Sequence, residues 1–398
     1  MSNNNLLYRQ VQSPMVLKIA KWIIGIFLVI GLCSHFIAND MPLLAKYEGS
    51  VSSPATVEFL SDIGIVDSRI YDETKFKWKI MPPIPYSSDQ LNSRFNVSVG
   101  PLDNQEVSSL RYRHWLGTDQ LGRDVLAGLV HGTNIAVKVG LLSVFFSLLL
   151  GLYLGLLSGY FGDNSWKINI FALLIGTLIK ALGLYYILYP IIVNPGLFYY
   201  LNLTFIVTIL QLALYKFIPG STRPSISLPI DLITTKIIEV LNSIPTLFII
   251  LAFLAIFTKP SIWNVIIIIS IIGWPKFARL ARAEILQIKN LEYIESAKSI
   301  GLSDFQIILK HALPNAITSV ISITAFAISG AILLESTLSF LGLGIPLDHV
   351  SWGSMLADAR VNFSSWWLAL FPGLAIFFVL ISFYIIGNQL NEKMNARH

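Results

Sequence analysis

Runs of about 20 predominantly apolar residues recur from Ile19 to the neighbourhood of Asn388. That is the length an α-helix needs to cross the hydrocarbon core of a bilayer. A soluble domain has no single interior able to bury so many of them. Hydrophobic residues make up 54% of the 398 and charged residues only 13%, about half the charged share of a typical soluble domain. Mean hydropathy is +0.67. The chain reads as an all-α integral membrane protein.

Charge placement says more than the net +5. From Asp40 to His131 there are 9 basic and 12 acidic residues, a local net of −3, so the basic excess lies elsewhere. The Lys and Arg residues are dispersed among apolar segments and form no contiguous patch, which argues against nucleic acid as a partner. Cys33 is the single cysteine, so neither an intrachain disulfide nor a cysteine-based metal cluster is available.

The first run, Ile19 to Ala38, follows Arg9, Lys18 and Lys21, which favours a cytoplasmic N-terminus. It has full spanning length and no Ala-x-Ala-type site after it, so residues 1–38 read as a cytoplasmic N-terminus and an uncleaved first span. Residues 39–131 are polar, with turn clusters such as Met81-Pro-Pro-Ile-Pro85, and read as a small extracytoplasmic cap. The next block, 132–162, holds the second span, roughly Ile135 to Gly159. Residues 163–228 hold two apolar runs, Ile168 to Pro190 and Leu197 to Ile218, with the breaker Asn194-Pro195-Gly196 between them.

Block 229–398 carries the remaining spans: Ile238 to Phe257, with Pro245 loosening its first turns, then Trp263 to Trp274, Ala316 to Leu338 and Trp366 to Asn388. Six basic residues between Lys276 and Lys310 place that stretch in the cytoplasm. Eight spans with both termini inside satisfy the pattern. The loops then predicted outside, near Asn194, Lys259 and 341–363, contain only Lys259 and Arg360 as basic residues.

Within the second span, Ser143, Ser147, Gly151, Gly155 and Gly159 recur at every fourth position. On a helix they form a shallow stripe for close helix packing, unless they reflect only the abundance of glycine in membrane helices. Lys180 falls mid-span, where lysine costs about 2.5 to 3.5 kcal/mol unless it snorkels or meets a partner. It either lines a pathway or snorkels. Glu335, near a helix end, is either a lumen-facing functional group or an interfacial residue. His114, His131 and His349 read as surface or interface residues rather than ligands. No phosphate-binding loop, zinc pair or nucleophile elbow occurs, so no catalytic residue and no metal site is assigned.

The cytoplasmic segment Asn290 to Asn315 reads as two short helices around a break. Asn290 suits an N-cap with Glu292 in the first turn, Gly301 a left-handed helix end, and Ser303 with Gln306 a capping box. With Leu291, Ile294 and Ala297 on one side, the elbow is predicted to dock into a groove on a soluble partner.

Here the sequence resembles a known family. Glu295-Ser296-Ala297, then Gly301, His311 and Leu313-Pro314, is similar to the EAA loop of ATP-binding-cassette (ABC) importer permeases. The serine at 296 and the histidine at 311 are modest departures. Leu116-Gly-Thr-Asp-Gln-Leu-Gly-Arg-Asp-Val125, Ser158-Gly-Tyr-Phe-Gly162, His311-Ala-Leu-Pro-Asn315 and Glu335-Ser-Thr-Leu-Ser-Phe-Leu-Gly-Leu-Gly344 resemble the second permease of dipeptide, oligopeptide and nickel importers. The matches run in order from about His114 to the C-terminus.

The resemblance implies a type I importer bundle of six core spans in a bacterial inner membrane, with 163–228 as an inserted two-span hairpin. It implies an EAA coupling loop at 276–314, in which Glu295, Ser296, Ala297, Gly301, His311, Leu313 and Pro314 contact an ATPase. The expected partners are a homologous second permease, two ATPase subunits holding ATP and Mg, an extracytoplasmic binding protein and membrane lipid. No cofactor is expected on this chain. The extended first loop, with Asn39-Asp-Met-Pro-Leu-Leu44, is similar to the microcin C and oligopeptide subgroup and hints at peptides longer than two residues. The rival expectations are a membrane scaffold and an exporter component.

Overall fold

The structure, a computed structural model, describes residues 13–47, 50–62, 65–66, 71, 76–90, 97–105, 109–163, 167–169, 225–257, 260–346 and 349–395. Helix α1 (Pro14–Leu32) starts under a Ser13 cap that accepts from Val16 N, with proline at its first position, where a missing N–H costs nothing. Short helix α2 (Ser34–Ile37) leads into the cap, where β1 (Leu44–Tyr47) pairs antiparallel with both β2 (Ser50–Ser52) and β3 (Phe76–Ile80). Helix α3 (Pro54–Asp62) completes this unit. Its strands are a local departure from the all-α expectation.

Helix α4 (Val125–Phe161) runs 37 residues, about 55 Å at 1.5 Å per residue, against a hydrocarbon core of about 30 Å. It is therefore longer than the hydrocarbon core is thick. It begins ten residues before the expected Ile135, because Asp124 accepts from Ala127 N and starts the helix there.

Strand β4 (Lys167–Asn169) pairs antiparallel with β5 (Ser225–Ser227), so the two ends of the 163–228 block lie side by side. The expected span starting at Ile168 thus begins in a strand. The rest of that block, including Lys180 and the two predicted spans, lies outside the described residues.

The single span expected at Ile238–Phe257 is instead two helices, α5 (Ile230–Ser243) and α6 (Thr246–Ile256), bent by 96°. Pro245 disfavours the helical region for the residue before it, and Ile244 sits at φ −93°, ψ 129°. Proline breaks this segment outright rather than loosening it.

Helix α7 (Ile262–Ile288) is followed by α8 (Glu292–Ser299), α9 (Asp304–Ile307) with a π-helical turn over Ile308–Ala312, and α10 (Leu313–Phe340). Helices α11 (Trp352–Val361) and α12 (Trp367–Asn395) end the fold. Five described helices are long and apolar enough to cross a membrane, and six spans result if α5 and α6 count as one.

The core sits where α4 crosses α7. Ser143, Ser147, Gly151, Gly155 and Gly159 are all buried. A Cβ placed on Gly151 would lie 2.5 Å from Phe277 Cβ, and one on Gly155 would lie 2.5 Å from Ala278 O. The backbones meet because these side chains are absent. Polar bonds add to the seam: Ser147 Oγ donates to Ser270 O at 3.0 Å, and Ser270 Oγ donates to Ser143 O at 3.1 Å. Val139, Val265, Ile266, Ile268 and Phe277 fill the apolar remainder.

The cap is fastened to the outer end of the bundle by the 116–125 motif. Asp119 accepts from Leu121 N and Arg123 N, Arg123 bridges to Asp358 of α11 at 3.1 Å, and Trp367 Nε1 donates to Thr118 O at 3.0 Å. His114, expected at the surface or an interface, is fully buried: its Nδ1 lies 2.8 Å from Asp124 Oδ2 and its ring stacks on Tyr86. The capping carboxylate supplies a polar partner that the sequence spacing alone does not reveal.

Candidate functional site

At the opposite, cytoplasmic end lies the helix-Gly-helix elbow. Glu292 is in the first turn of α8, but the N-cap is Leu291, one residue later than the expected Asn290. Gly301 takes φ +86°. Its N–H donates to Lys298 O at 2.9 Å and Leu302 N–H donates to Ala297 O at 3.2 Å, the paired bonds of a Schellman helix end. Ser303 and Gln306 form the capping box of α9. Pro314 then lies in the first turn of α10, which continues directly from the π-helical turn.

Of the three residues expected to dock, Ile294 and Ala297 face inward, whereas Leu291 is exposed. Ile294, Ala297 and Ile307 are 1%, 5% and 0% exposed and pack with Tyr160 and Leu302. Packing against the bundle wins because Tyr160, at the end of α4, offers a ring to cover. The Tyr160 hydroxyl donates to Asp304 at 2.7 Å, and the Lys298 ammonium lies 5.6 Å from the centre of the same ring.

What the elbow presents outward is a different apolar set. Ile300 is 80% exposed and Phe305 68%, with Leu291, Tyr293 and Leu309 also exposed. Sequence reasoning singled out only Leu291 of these and missed the rest. The available signal was two bulky apolar residues flanking the Gly301 break, off the periodic face of either helix. Glu295 and Ser296 are exposed beside them, whereas Ala297 is buried. His311 and Leu313 are half-buried and Pro314 is exposed. The His311 ring stands 6.1 Å from that of Tyr293, and Asn315 Nδ2 donates to His311 O at 2.8 Å.

Two further contacts brace the elbow's surroundings. Arg282 on α7 makes a bidentate pair with Asp231 at the start of α5, its second bond measuring 2.6 Å. Ser319 Oγ on α10 donates to Glu284 at 2.5 Å. The packing residues Ser147, Gly151, Gly155 and Gly159 form the α4–α7 seam.

Glu335 is buried within the chain. It is 1% exposed and accepts from Ser339 Oγ at 2.7 Å and Ser336 Oγ at 3.3 Å. Two serines of its own helix and Ser351, which caps α11, satisfy the carboxyl. Among the described residues, no group of His, Cys, Asp and Glu is placed to hold a metal ion.

This arrangement is a membrane bundle with a rigidly capped cytoplasmic elbow exposing apolar side chains, which suits contact with a soluble partner. Residues 225–396, the part containing the elbow, match the family described as the binding-protein-dependent transport system inner membrane component. Similar relatives extend over nearly the whole chain. The inner membrane ABC transporter permease protein YejE of Escherichia coli is 28% identical, over 94% of this chain and 92% of its own. The peptidoglycan transport system permease protein YejE of Agrobacterium fabrum is 27% identical, over 94% and 88%. The glutathione transport system permease protein GsiD of Pectobacterium atrosepticum is 29% identical, over 79% and 80%.

Proposed function

We propose that this chain, a multi-pass bacterial inner-membrane permease subunit of an ABC importer, moves peptides or peptide-like solutes inward as one half of a translocation path. The other half is a homologous permease. An extracytoplasmic binding protein delivers the solute, and two ATPase subunits bind and hydrolyse ATP with Mg. This chain contributes no catalytic residue and no cofactor. Peptides are favoured because the relatives' names include glutathione and peptidoglycan transport systems, both with peptide-bonded substrates.

Coupling runs through the elbow. Closure of the ATPases on ATP pushes a surface made by Ile300, Phe305 and Leu309 beside Glu295 and Ser296, while Gly301, Ala297, His311, Leu313 and Pro314 fix the elbow's shape. The push reaches α4 through Tyr160 and α10 through the continuous π-helical turn, and the permeases rock between outward and inward access. The observation that carries this reading is the exposure of Ile300 and Phe305 on a segment in which Ile294, Ala297 and Ile307 are buried. The test is reconstitution of the whole importer in liposomes with labelled tripeptides. ATP-dependent uptake supports the reading, and ATP hydrolysis without uptake of any peptide counts against the substrate.

A further inference from the structure

An open-sided groove of about 610 Å³ runs between α10, α11 and α12. Leu333 and Phe340 of α10 line one side and Trp366 and Ile376 the other. Gly373 of α12 also lines it, and a Cβ placed there would meet nothing within 4 Å. The missing side chain leaves room that no other part of the chain fills.

The groove lies in the outer half of the membrane. Helix α10 leaves the cytoplasmic elbow at Leu313 and ends at Phe340, so its lining residues belong to its outer end. From Trp366 to Ile376 the chain advances ten residues, about 15 Å at 1.5 Å per residue and half of a hydrocarbon core of about 30 Å. Trp366 is exposed at the start of this stretch, as expected of a ring at headgroup level. Only 22% of the most apolar stretch of α12 is buried within the chain, so this helix is open to the bilayer.

One cation stands at the mouth. Arg360, at the end of α11, is the one charged residue among the described residues that line the groove. Its guanidinium lies 5.4 Å from the centre of the Phe340 ring, which holds it over the groove. Asp358, two residues earlier, is bridged to Arg123 instead. The contact with a ring face leaves the N–H donors of Arg360 unspent, and their fork geometry matches a phosphate.

An apolar slot one leaflet long with a lone guanidinium at its mouth is complementary to an amphipathic anion. We propose that this groove binds an anionic phospholipid of the outer leaflet, its phosphate paired with Arg360 and one acyl chain lying along Leu333 and Ile376 past Gly373. A headgroup carrying its own ammonium satisfies its phosphate internally, so phosphatidylglycerol is preferred over phosphatidylcholine. The lipid holds α11 from the membrane side while Arg123 holds the same helix from the cap side.

The test uses the complete importer in detergent, with both permeases and the ATPases present. The probe is phosphatidylglycerol with a photoactivatable diazirine in one acyl chain. It should label α10 near Leu333 and α12 near Gly373. Unlabelled phosphatidylglycerol should compete, phosphatidylcholine should compete about tenfold less well, the scale of one charge-assisted hydrogen bond, and glycerol phosphate, a head without a chain, should not compete. Arg360→Gln should raise the half-saturating concentration of the probe about tenfold, whereas Arg360→Lys, which keeps the charge, should retain the preference for phosphatidylglycerol. Gly373→Leu fills the groove without a clash and should abolish labelling at both segments.

Arg360 is exposed, so its variants should melt like the unmodified protein in lipid-free detergent, which separates loss of recognition from loss of fold. Absence of label from both segments, or labelling unchanged by Arg360→Gln and by Gly373→Leu, would overturn the site. So would equal competition by phosphatidylcholine, or competition by glycerol phosphate as strong as that of the lipid. A Phe363→Cys importer in a Cys33→Ser background that cross-links to the second permease across the groove mouth would show a subunit interface there and would overturn it too.

Discussion

The hydroxyl of Tyr160 donates to Asp304 across 2.7 Å, joining the cytoplasmic end of α4 to the first turn of α9. Tyr160 also covers Ile294, Ala297 and Ile307, so one residue both packs the elbow and bonds it to the bundle. Tyr160→Phe keeps the ring and loses the bond, at about 1 kcal/mol. The expected outcome is an importer that still assembles but whose ATP hydrolysis responds less to the loaded binding protein. Asp304→Asn, which retains an acceptor for the Tyr160 hydroxyl, should keep part of the response. Stimulated over basal hydrolysis is the ratio to measure.

The inward and outward faces of the elbow should respond differently to substitution. Ile294→Ala removes a buried side chain and should cost about 2 to 4 kcal/mol, seen as a lower Tm in detergent. Phe305→Ser removes an exposed one and should change stability by less than about 0.5 kcal/mol while weakening retention of the ATPase on an affinity column. Equal effects of both on Tm would contradict the assignment of faces.

The α4–α7 seam has no room for a methyl group at Gly155. Gly155→Ala sets its new Cβ against Ala278 O and should destabilise by about 1 to 3 kcal/mol. Gly151→Leu should be worse and reduce the amount of intact complex recovered. Phe145→Leu, on the exposed side of the same helix, should be tolerated. Thermal melting of the purified permease separates these outcomes.

How far the sequence disclosed the fold depends on the range of the interaction concerned. The Gly301 turn and the Ser303–Gln306 box are set by neighbours within a few residues, and the sequence pattern located both. The α4 stripe was visible because four-residue spacing of small side chains has one geometric meaning on a helix. The inward face of the elbow was not legible: an amphipathic helix announces that it will bury one face, but Tyr160, which Ile294 meets, is remote in the chain. His114 was misread for the same reason, since its partner Asp124 becomes a helix cap only once α4 forms. Pro245 was noticed and its effect underestimated, because the constraint falls on Ile244 as well as on proline itself.

Alkaline pH should loosen the cap through Tyr86. Its hydroxyl donates to Tyr112 O at 2.6 Å, and burial, reinforced by the Asp124 charge and Tyr112, pushes its pKa up to about 12 from an ordinary value of 10. The folded pKa lies above the unfolded one, so the contribution is complete below pH 10 and is lost as pH rises towards 12. Tyr86→Phe should flatten that part of the stability profile. Cap unfolding followed by tryptophan fluorescence between pH 9 and 12, wild type against variant, is the check.

Gly301 has open space around its missing Cβ but a positive φ, so Gly301→Val meets backbone strain of about 1 to 3 kcal/mol rather than a clash. Membrane insertion should survive, because the elbow lies outside the bilayer. Transport should fall together with ATPase coupling.

Coupling depends on what touches the elbow's outer face, and site-directed cross-linking reads that directly. Cys33 is the chain's single cysteine, so a Cys33→Ser background allows one cysteine to be placed at a time. In the assembled importer, Phe305→Cys and Ser296→Cys should cross-link to the ATPase subunit and not to the binding protein, while Ile294→Cys, facing Tyr160, should cross-link to neither. Normal transport by the Phe305→Cys and Ser296→Cys importers with no ATPase cross-link from either position would contradict coupling through this elbow.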